Sequence, residues 1–482
     1  MTVADFLRRR VAGSKRTLAV TLLANGLVWI LFQAFAAAQS YDGPLIESHA
    51  HIAIYASQVP GQGIQYRVDA REGATELTAA SYVSSLDRNN IKCIVGFHGI
   101  AVDDKQQELL DNAKRLLVLY PDRFILLAEI FRFNPLDWFT ATRLAPVLDT
   151  GLFSGFGEIQ FNHEPLGDGT NTPIVRPDAT RFLNISRGLA DRGLFVMAHP
   201  ASRDGVENAV SYNNGSTTWI IHGPQVHGSW NPRDVNGDGI PDEMAELEGL
   251  LDRNPNLYYT LDIGESLGEF FQYFKTDEPG AKEIFLEKMN DQGFYNSLLE
   301  KMVHIWKAVI ERHFDRFLWG TDMAFPTWQW DPEVIDVMMR FSRAFIGRLE
   351  SSAAENYAYK NAERLLGGCP VPIDIKPGSY PNSINLRSGG TVPVAILTTR
   401  SFDARTVDPT TVALAGAPVK LKGKGTPMAS FEDVNGDGLQ DLVVHVSTEA
   451  LQLSDSAMMA VLEGRTYSGD PVKGRDTVRV VP

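Results

Sequence analysis

The chain runs to 482 residues, 44% apolar and 22% charged, with a formal net charge of -14. That length asks for two or three domains, and the composition is that of a globular protein able to bury a large core. The negative balance excludes a nucleic-acid partner, since beyond the N-terminal basic stretch the one Lys/Arg cluster is Lys420, Lys422 and Lys424; a small-molecule substrate is expected instead.

The first 38 residues read as an export signal. Arg8, Arg9, Arg10, Lys15 and Arg16 precede an uncharged, mostly apolar run from Thr17 to Phe35, and Ala36-Ala37-Ala38 offers a small-residue cleavage site before Gln39. The run also approaches the ~20 residues that span a bilayer, so a retained membrane anchor is the alternative to a cleaved signal peptide. Either way the folded part is expected outside the cytoplasm, secreted or periplasmic with a cleaved signal and membrane-anchored otherwise.

From Pro44 onward, short apolar runs alternate with amphipathic helical stretches. Strands are predicted at Leu45–Ser48, Lys92–Phe97, Phe124–Ile130, Gly155–Ile159, Leu194–Ala198, Thr218–Ile221, Leu257–Leu261 and Phe317–Gly320. Helices are predicted between them, among others at Ala79–Asn89, Gln106–Leu119, Ala179–Arg192, Met244–Arg253 and Tyr295–His313. Eight strands with intervening helices fit an α/β fold, a TIM-like (β/α)8 barrel over 44–367. A stiffened linker at 368–372 follows, rich in Gly and Pro. Beyond it, 373–482 carries short strand signals at Ile373–Ile375, Thr391–Leu397, Thr411–Leu414, Leu442–Val446, Met459–Glu463 and Thr477–Val481, the texture of a small all-β sandwich domain.

The two cysteines, Cys93 and Cys369, rule out a zinc ribbon or a disulfide scaffold. Export permits one bond between them. Sequence cannot fix the Cα separation that a bond requires, and buried free thiols are the favoured reading.

The ten histidines are placed informatively. His49 and His51 end the first predicted strand, His199 the fifth and His222 the sixth, while Asp322 closes the eighth. Barrel enzymes build their active sites at these C-terminal strand ends. Residues two apart in an extended segment point the same way, so His49 and His51 can grip one ion. Imidazoles with a carboxylate suit Zn²⁺ or a similar divalent transition metal.

Glu47-Ser-His-Ala-His51, Val196-Met-Ala-His-Pro200, Trp219-Ile-Ile-His-Gly223 and Leu318-Trp-Gly-Thr-Asp322 resemble the strand-end motifs of the amidohydrolase superfamily, nearest its amidohydrolase-related branch. The likeness runs from about residue 44 to 367, and its motifs are specific as a set rather than singly. It implies that His49, His51, His199 and Asp322 bind metal and that His222 ligates or polarises the substrate. On the fourth strand, Gly157-Glu158-Ile159 resembles the Gly-Glu-Ile segment of TatD-type hydrolases, whose glutamate bridges two metals. Glu158 is expected to be a ligand, with a role as acceptor for a ligand histidine as the alternative.

The chemistry expected is hydrolysis. A divalent cation lowers the pKa of bound water toward ~7, and the hydroxide so made attacks a C–O or C–N bond of an ester, lactone or amide. Asp322 is expected to move the proton and His222 to stabilise the developing charge. A metal-dependent decarboxylase of the same superfamily is one alternative; a calcium-dependent binding protein with an inactive barrel is another. His98 and Arg132 are candidate substrate contacts, and Asn162, His163 and Asp262 also fall just past strand ends. Trp328 and Trp330 follow Asp322 and would wall a pocket or pack a lid.

Asp-Val-Asn-Gly-Asp-Gly occurs twice, at 234–239 and 433–438. With the ninth position added, Asp433, Asn435, Asp437 and Asp441 form one candidate calcium set and Asp234, Asn236, Asp238 and Asp242 another, as in the first part of an EF-hand loop. Position twelve of the second copy is Val444, so a complete EF-hand is excluded. A solvated acidic turn is the alternative in both places.

Overall fold

The computed structural model describes residues 40–51, 54–59, 63–68, 79–100, 106–130, 140–161, 176–200, 205–223, 226, 233–276, 278–323 and 327–481. The N-terminal segment 1–38 lies outside the described residues, as do Arg132, Asn162 and His163. Among the described residues no helix is long and apolar enough to cross a membrane.

Among the described residues up to 320 there are ten strands: β1 (Leu45–His51), β2 (Ile54–Val59), β3 (Gly63–Val68), β4 (Ile91–Ile100), β5 (Phe124–Ile130), β6 (Gly155–Phe161), β7 (Phe195–Pro200), β8 (Trp219–Ile221), β9 (Leu257–Asp262) and β10 (Phe317–Gly320). Eight of them form one sheet in the order β1-β4-β5-β6-β7-β8-β9-β10, and its neighbours pair in parallel. His51 N–H donates to Met323 C=O and Asp322 N–H to His49 C=O, both at 3.0 Å, carrying the end of β10 back to β1. The sheet thereby curls into the (β/α)8 barrel that the alternation of elements predicts.

Why these runs form barrel strands is visible in their two faces. Ile46, Val95, Phe97, Ile125, Leu127, Met197, Ile220 and Leu318 pack as one buried cluster, with Ala362 and Leu366 against it. The intervening Leu45, Ile94, Leu126, Val196 and Ile221 belong to the larger core shared with the helices. A strand apolar on both faces reads as a near-continuous hydrophobic run, which is how these segments appear. The helix Gln292–Arg312 buries Tyr295, Leu298, Leu299, Met302, Ile305, Trp306, Val309 and Ile310 on one stripe. Asp291 caps it by accepting the Phe294 N–H at 2.7 Å.

The hairpin β2–β3 is a departure, since none of the strands predicted from the sequence covers it. It is antiparallel, paired from Ile54 opposite Val68 to Val59 opposite Gly63, and leaves the barrel three residues after His51.

Beyond the barrel, Pro370–Val371, Pro471–Thr477, Met459–Thr466, Val407–Leu414 and Ala417–Pro418 form a five-stranded sheet. Ile373–Ile375, Thr391–Ile396, Asp441–Ser447 and Ala429–Glu432 form a four-stranded one. Val394, Ile396, Val412, Leu414, Leu442, Val444 and Leu462 from both sheets share one core, a sandwich packing. Pro471–Thr477 was not anticipated as a strand: Lys473, Arg475 and Asp476 break its apolar pattern.

This β module docks at the N-terminal end of the barrel strands. Arg475, 4% exposed, donates to Leu152 C=O at 2.8 Å and to Ser154 Oγ at 2.9 Å, just ahead of β6. Met458 and Met459 N–H both donate to Thr150 C=O. Cys93 and Cys369 are joined in a disulfide, with Cα atoms 5.7 Å apart. That corrects the expectation of free thiols. The start of β4 and the chain just past the last barrel helix meet at one end, inside the Cα range a disulfide needs.

Candidate metal centre

The C-terminal ends of the barrel strands converge on Glu158. Gly157 before it has φ +146°, and a Cβ there would stand 2.2 Å from Met197 O, so glycine allows β6 to lie this close to β7. The Glu158 carboxylate then faces two ways. Its Oε2 is 3.0 Å from His51 Nε2 and 3.9 Å from His49 Nε2. Its Oε1 is 2.7 Å from His222 Nε2 and 3.4 Å from His199 Nδ1. Asp322 Oδ1 stands 3.4 Å from the Nε2 of both His49 and His51.

Two ligand groups result. His49, His51 and Asp322 offer atoms all within 4.8 Å of one another, and so do Glu158, His199 and His222. All are buried except His51, which is partly exposed. All six residues expected from sequence to ligate metal are thus brought to one place.

A third such grouping joins His49, His222 and Asp262. Here the ring atoms are the Nδ1 nitrogens, 3.0 and 3.1 Å from Asp262 Oδ2, while both Nε2 atoms are turned toward Glu158. One carboxylate behind two imidazoles fixes their orientation and tautomer. His51 has the same support, its Nδ1 lying 3.4 Å from Glu129 Oε1. Asp262 falls just past its strand end in the sequence, but nothing there signals that it serves two histidines. Gly320 makes its position possible, since a Cβ there would lie 2.5 Å from Asp262 Oδ1.

Burial disfavours charge here, yet the charges persist. Burial pushes the Glu158 and Asp322 carboxyls up, but the imidazoles beside Glu158, and Lys275, His49 and His51 beside Asp322, hold both well below the usual carboxylate range. Burial pushes His51 and His222 down, and their carboxylate neighbours more than reverse this, raising both well above the ordinary imidazole value. Glu47 differs: burial raises its carboxyl to about 8, against the Thr321 and His49 N–H groups that its Oε1 accepts at 3.0 Å.

The residues present fit a cation. Nε2 of His49, 3.4 Å from Asp322 Oδ1 and 3.9 Å from Glu158 Oε2, is buried without a hydrogen-bond partner. An unpartnered ring nitrogen of this kind is costly in a folded interior and is expected beside an ion. Four imidazoles and two carboxylates form a donor set suited to Zn²⁺ or a similar ion.

Lys275 was not singled out from sequence. It follows the helix Gly268–Phe274, and its Nζ is 2.6 Å from Asp322 Oδ2. Glu265, in the turn after β9, has its carboxyl raised to about 7 by burial and by Asp322. His98, expected to meet substrate, sits instead on the opposite face of β4 from Phe97. Phe97 packs against the His49 and His51 rings, whereas His98 is 5% exposed beside Phe153, with Nδ1 3.1 Å from Gly99 O. That placement gives a substrate contact no support. Trp330 is fully buried against Tyr82, and Trp328 packs on Phe274 and Phe285.

Both Asp-Val-Asn-Gly-Asp-Gly loops fold alike. Asp234 accepts the N–H groups of Gly237, Asp238 and Gly239, and Asp433 those of Gly436, Asp437 and Gly438. Asn236 and Asn435 donate to Asp238 and Asp437 at 3.0 and 3.1 Å. The ninth positions differ: Asp441 is fully buried, accepting the Thr398 and Val434 N–H groups, whereas Asp242 precedes the helix Glu243–Arg253.

No protein-family model and no curated protein matches this sequence. Solved structures do. A probable 2-pyrone-4,6-dicarboxylic acid hydrolase from Acinetobacter baumannii is 16% identical with a TM-score of 0.38, covering 67% of this chain and 99% of that one. Amidohydrolase 2 from Bifidobacterium longum subsp. infantis is 14% identical, TM-score 0.34, over 67% and 98%. A 5-carboxyvanillate decarboxylase from Sphingomonas paucimobilis is 16% identical, TM-score 0.32, over 67% and 98%. At these scores the barrel assignment rests on the strand order, and the chemistry on the side chains.

Proposed function

We propose that this chain is an exported, metal-dependent hydrolase that cleaves a C–O or C–N bond in a small ester, lactone or amide. The observation that carries the reading is Glu158, one oxygen facing His49 and His51 and the other facing His199 and His222. A carboxylate so placed is suited to hold two cations, zinc being the first choice by donor type. His49, His51 and Asp322 would hold one, and His199 and His222 the other.

A divalent ion in such a place acidifies water and polarises the bond under attack. The protein's own part is to keep Glu158 and Asp322 anionic, to turn Nε2 of His49 and His222 inward through Asp262, and to bury the site so that charge acts at short range. Export is supported by the N-terminal segment and by the Cys93–Cys369 bond, since such bonds persist in oxidising compartments. Calcium in the two acidic loops is part of the same reading, supported by their matching alternation of oxygens.

The test is a panel of lactones, esters, amides and phosphoesters offered to metal-stripped protein reconstituted with Zn²⁺ or Mn²⁺, with Glu158→Gln alongside. Metal-dependent turnover of one class, lost in Glu158→Gln, is the expected result. Released CO₂ would instead make it a decarboxylase. Calcium as the sole bound metal, without turnover, would make it a binding protein.

A further inference from the structure

Asp322 sits in an unusual backbone. Its φ is +52°, in the left-handed region that L residues rarely adopt. It is also 5% exposed, and its charge helps raise the nearby Glu265 carboxyl to about 7. Such a residue keeps one geometry only if its surroundings impose it.

Lys275 supplies that constraint from both sides. Its ammonium donates to the Asp322 carboxylate through Oδ2 at 2.6 Å and also to the Asp322 main-chain carbonyl. One side chain therefore fixes the carboxylate and the backbone that carries it. With Oδ2 taken, Oδ1 is the oxygen left toward His49 and His51.

The lysine is itself held in place. Gln329 Nε2 donates to the carbonyl of Phe274 at 2.8 Å, and Trp328 Nε1 donates to that of Thr276 at 3.1 Å, so the chain is pinned just before and just after Lys275. Both donors come from the turn Thr327–Trp330, which follows Asp322 in the chain. The Phe274 ring is fully buried, packed against Phe270, Phe285 and Trp328. The segment after β10 thus reaches back to brace the residue that grips the end of β10.

We infer that Lys275 is the positioning residue for Asp322: it fixes the carboxylate as a one-oxygen ligand of the cation held with His49 and His51. The inference rests on the metal-centre reading above. Asp322 is expected from sequence both to bind metal and to move a proton; with Oδ2 committed to an ammonium, Oδ1 is the oxygen open to either part.

The experiment measures Co²⁺ binding by chelator competition, together with the visible spectrum of the cobalt form, for wild type, Lys275→Met and Lys275→Arg. Lys275→Met should bind about 10–100-fold more weakly, the usual cost of losing a group that orients a ligand. Its cobalt bands should shift as Asp322 loses its fixed pose, and Lys275→Arg should lie nearer wild type in both readouts. Trp328→Phe, which keeps the ring and loses the N–H, should move both in the Lys275→Met direction by less, and serves if Lys275→Met does not fold. Binding as tight as or tighter than wild type overturns the inference, as does weaker binding with an unaltered spectrum. A wild type that takes up no divalent transition ion removes the metal-centre reading itself, a different and separable failure.

Discussion

Gly320→Ala isolates the support behind the ligands from the ligands themselves. The added methyl carbon would lie 2.5 Å from Asp262 Oδ1, 2.7 Å from Thr260 Cγ2 and 3.0 Å from His49 Cβ. Ordinary contact begins at 3.4 Å, so the Asp262 carboxylate must retreat by about 0.9 Å if it alone moves. Asp262 Oδ2 now stands 3.0 and 3.1 Å from the Nδ1 atoms of His49 and His222, and such a retreat takes it beyond hydrogen-bond reach of both. Loss of an outer-shell carboxylate costs about 10–100-fold in metal affinity, or about 1.4–2.8 kcal/mol. Chelator competition on Zn²⁺ measures this directly, with a melt of the metal-free protein to subtract the ~1–3 kcal/mol of overpacking. Unchanged Zn²⁺ affinity in a variant whose metal-free melt is lowered would refute the reasoning, since crowding would then be felt without Asp262 mattering to the ligands.

His98 makes the barrel acid-sensitive: burial lowers its pKa from 6.5 to about 4, so the unfolded chain takes up a proton first and stability falls as pH drops from 6.5 toward 4. The full effect is about 3 kcal/mol, and urea midpoints of His98→Asn should show a shallower loss over that window; parallel profiles would contradict it. The Cys93–Cys369 bond spans 276 residues, for which loop closure gives an upper figure of about 5–6 kcal/mol, and a Cys93→Ala/Cys369→Ala protein should melt lower while binding Zn²⁺ as wild type does. Terbium luminescence should report two exposed acidic sites, with Asp234→Ala and Asp433→Ala each removing one; signal retained in the double variant would leave both loops as solvated turns.

Much of the barrel was legible because a strand buried on both faces announces itself as an apolar run, and Phe124–Ile130 and Phe317–Gly320 fall where predicted. The candidate metal ligands were legible for a related reason: polar residues that end such runs must lie at one rim. The hairpin after His51 was not, because Ile54–Val59 and Gly63–Val68 stand outside the barrel rhythm and pair only with each other. Lys275 was invisible because its partner lies 47 residues away, and no local pattern records that approach. Asp262 drew notice by position alone; its service to two histidines is a fact of three dimensions. His98 shows the limit of position along a strand: it lies beside Phe153, on the other side of β4 from Phe97, which meets the His49 ring.

The docking of the β module has a consequence for how the molecule meets its surroundings. Arg475, the Thr150 carbonyl and the Cys93–Cys369 bond all tie it to the floor of the barrel, while Glu158 and its histidines lie at the roof. A molecule bound to the β module would therefore lie at the pole away from Glu158. The two ends can therefore vary in sequence independently of each other.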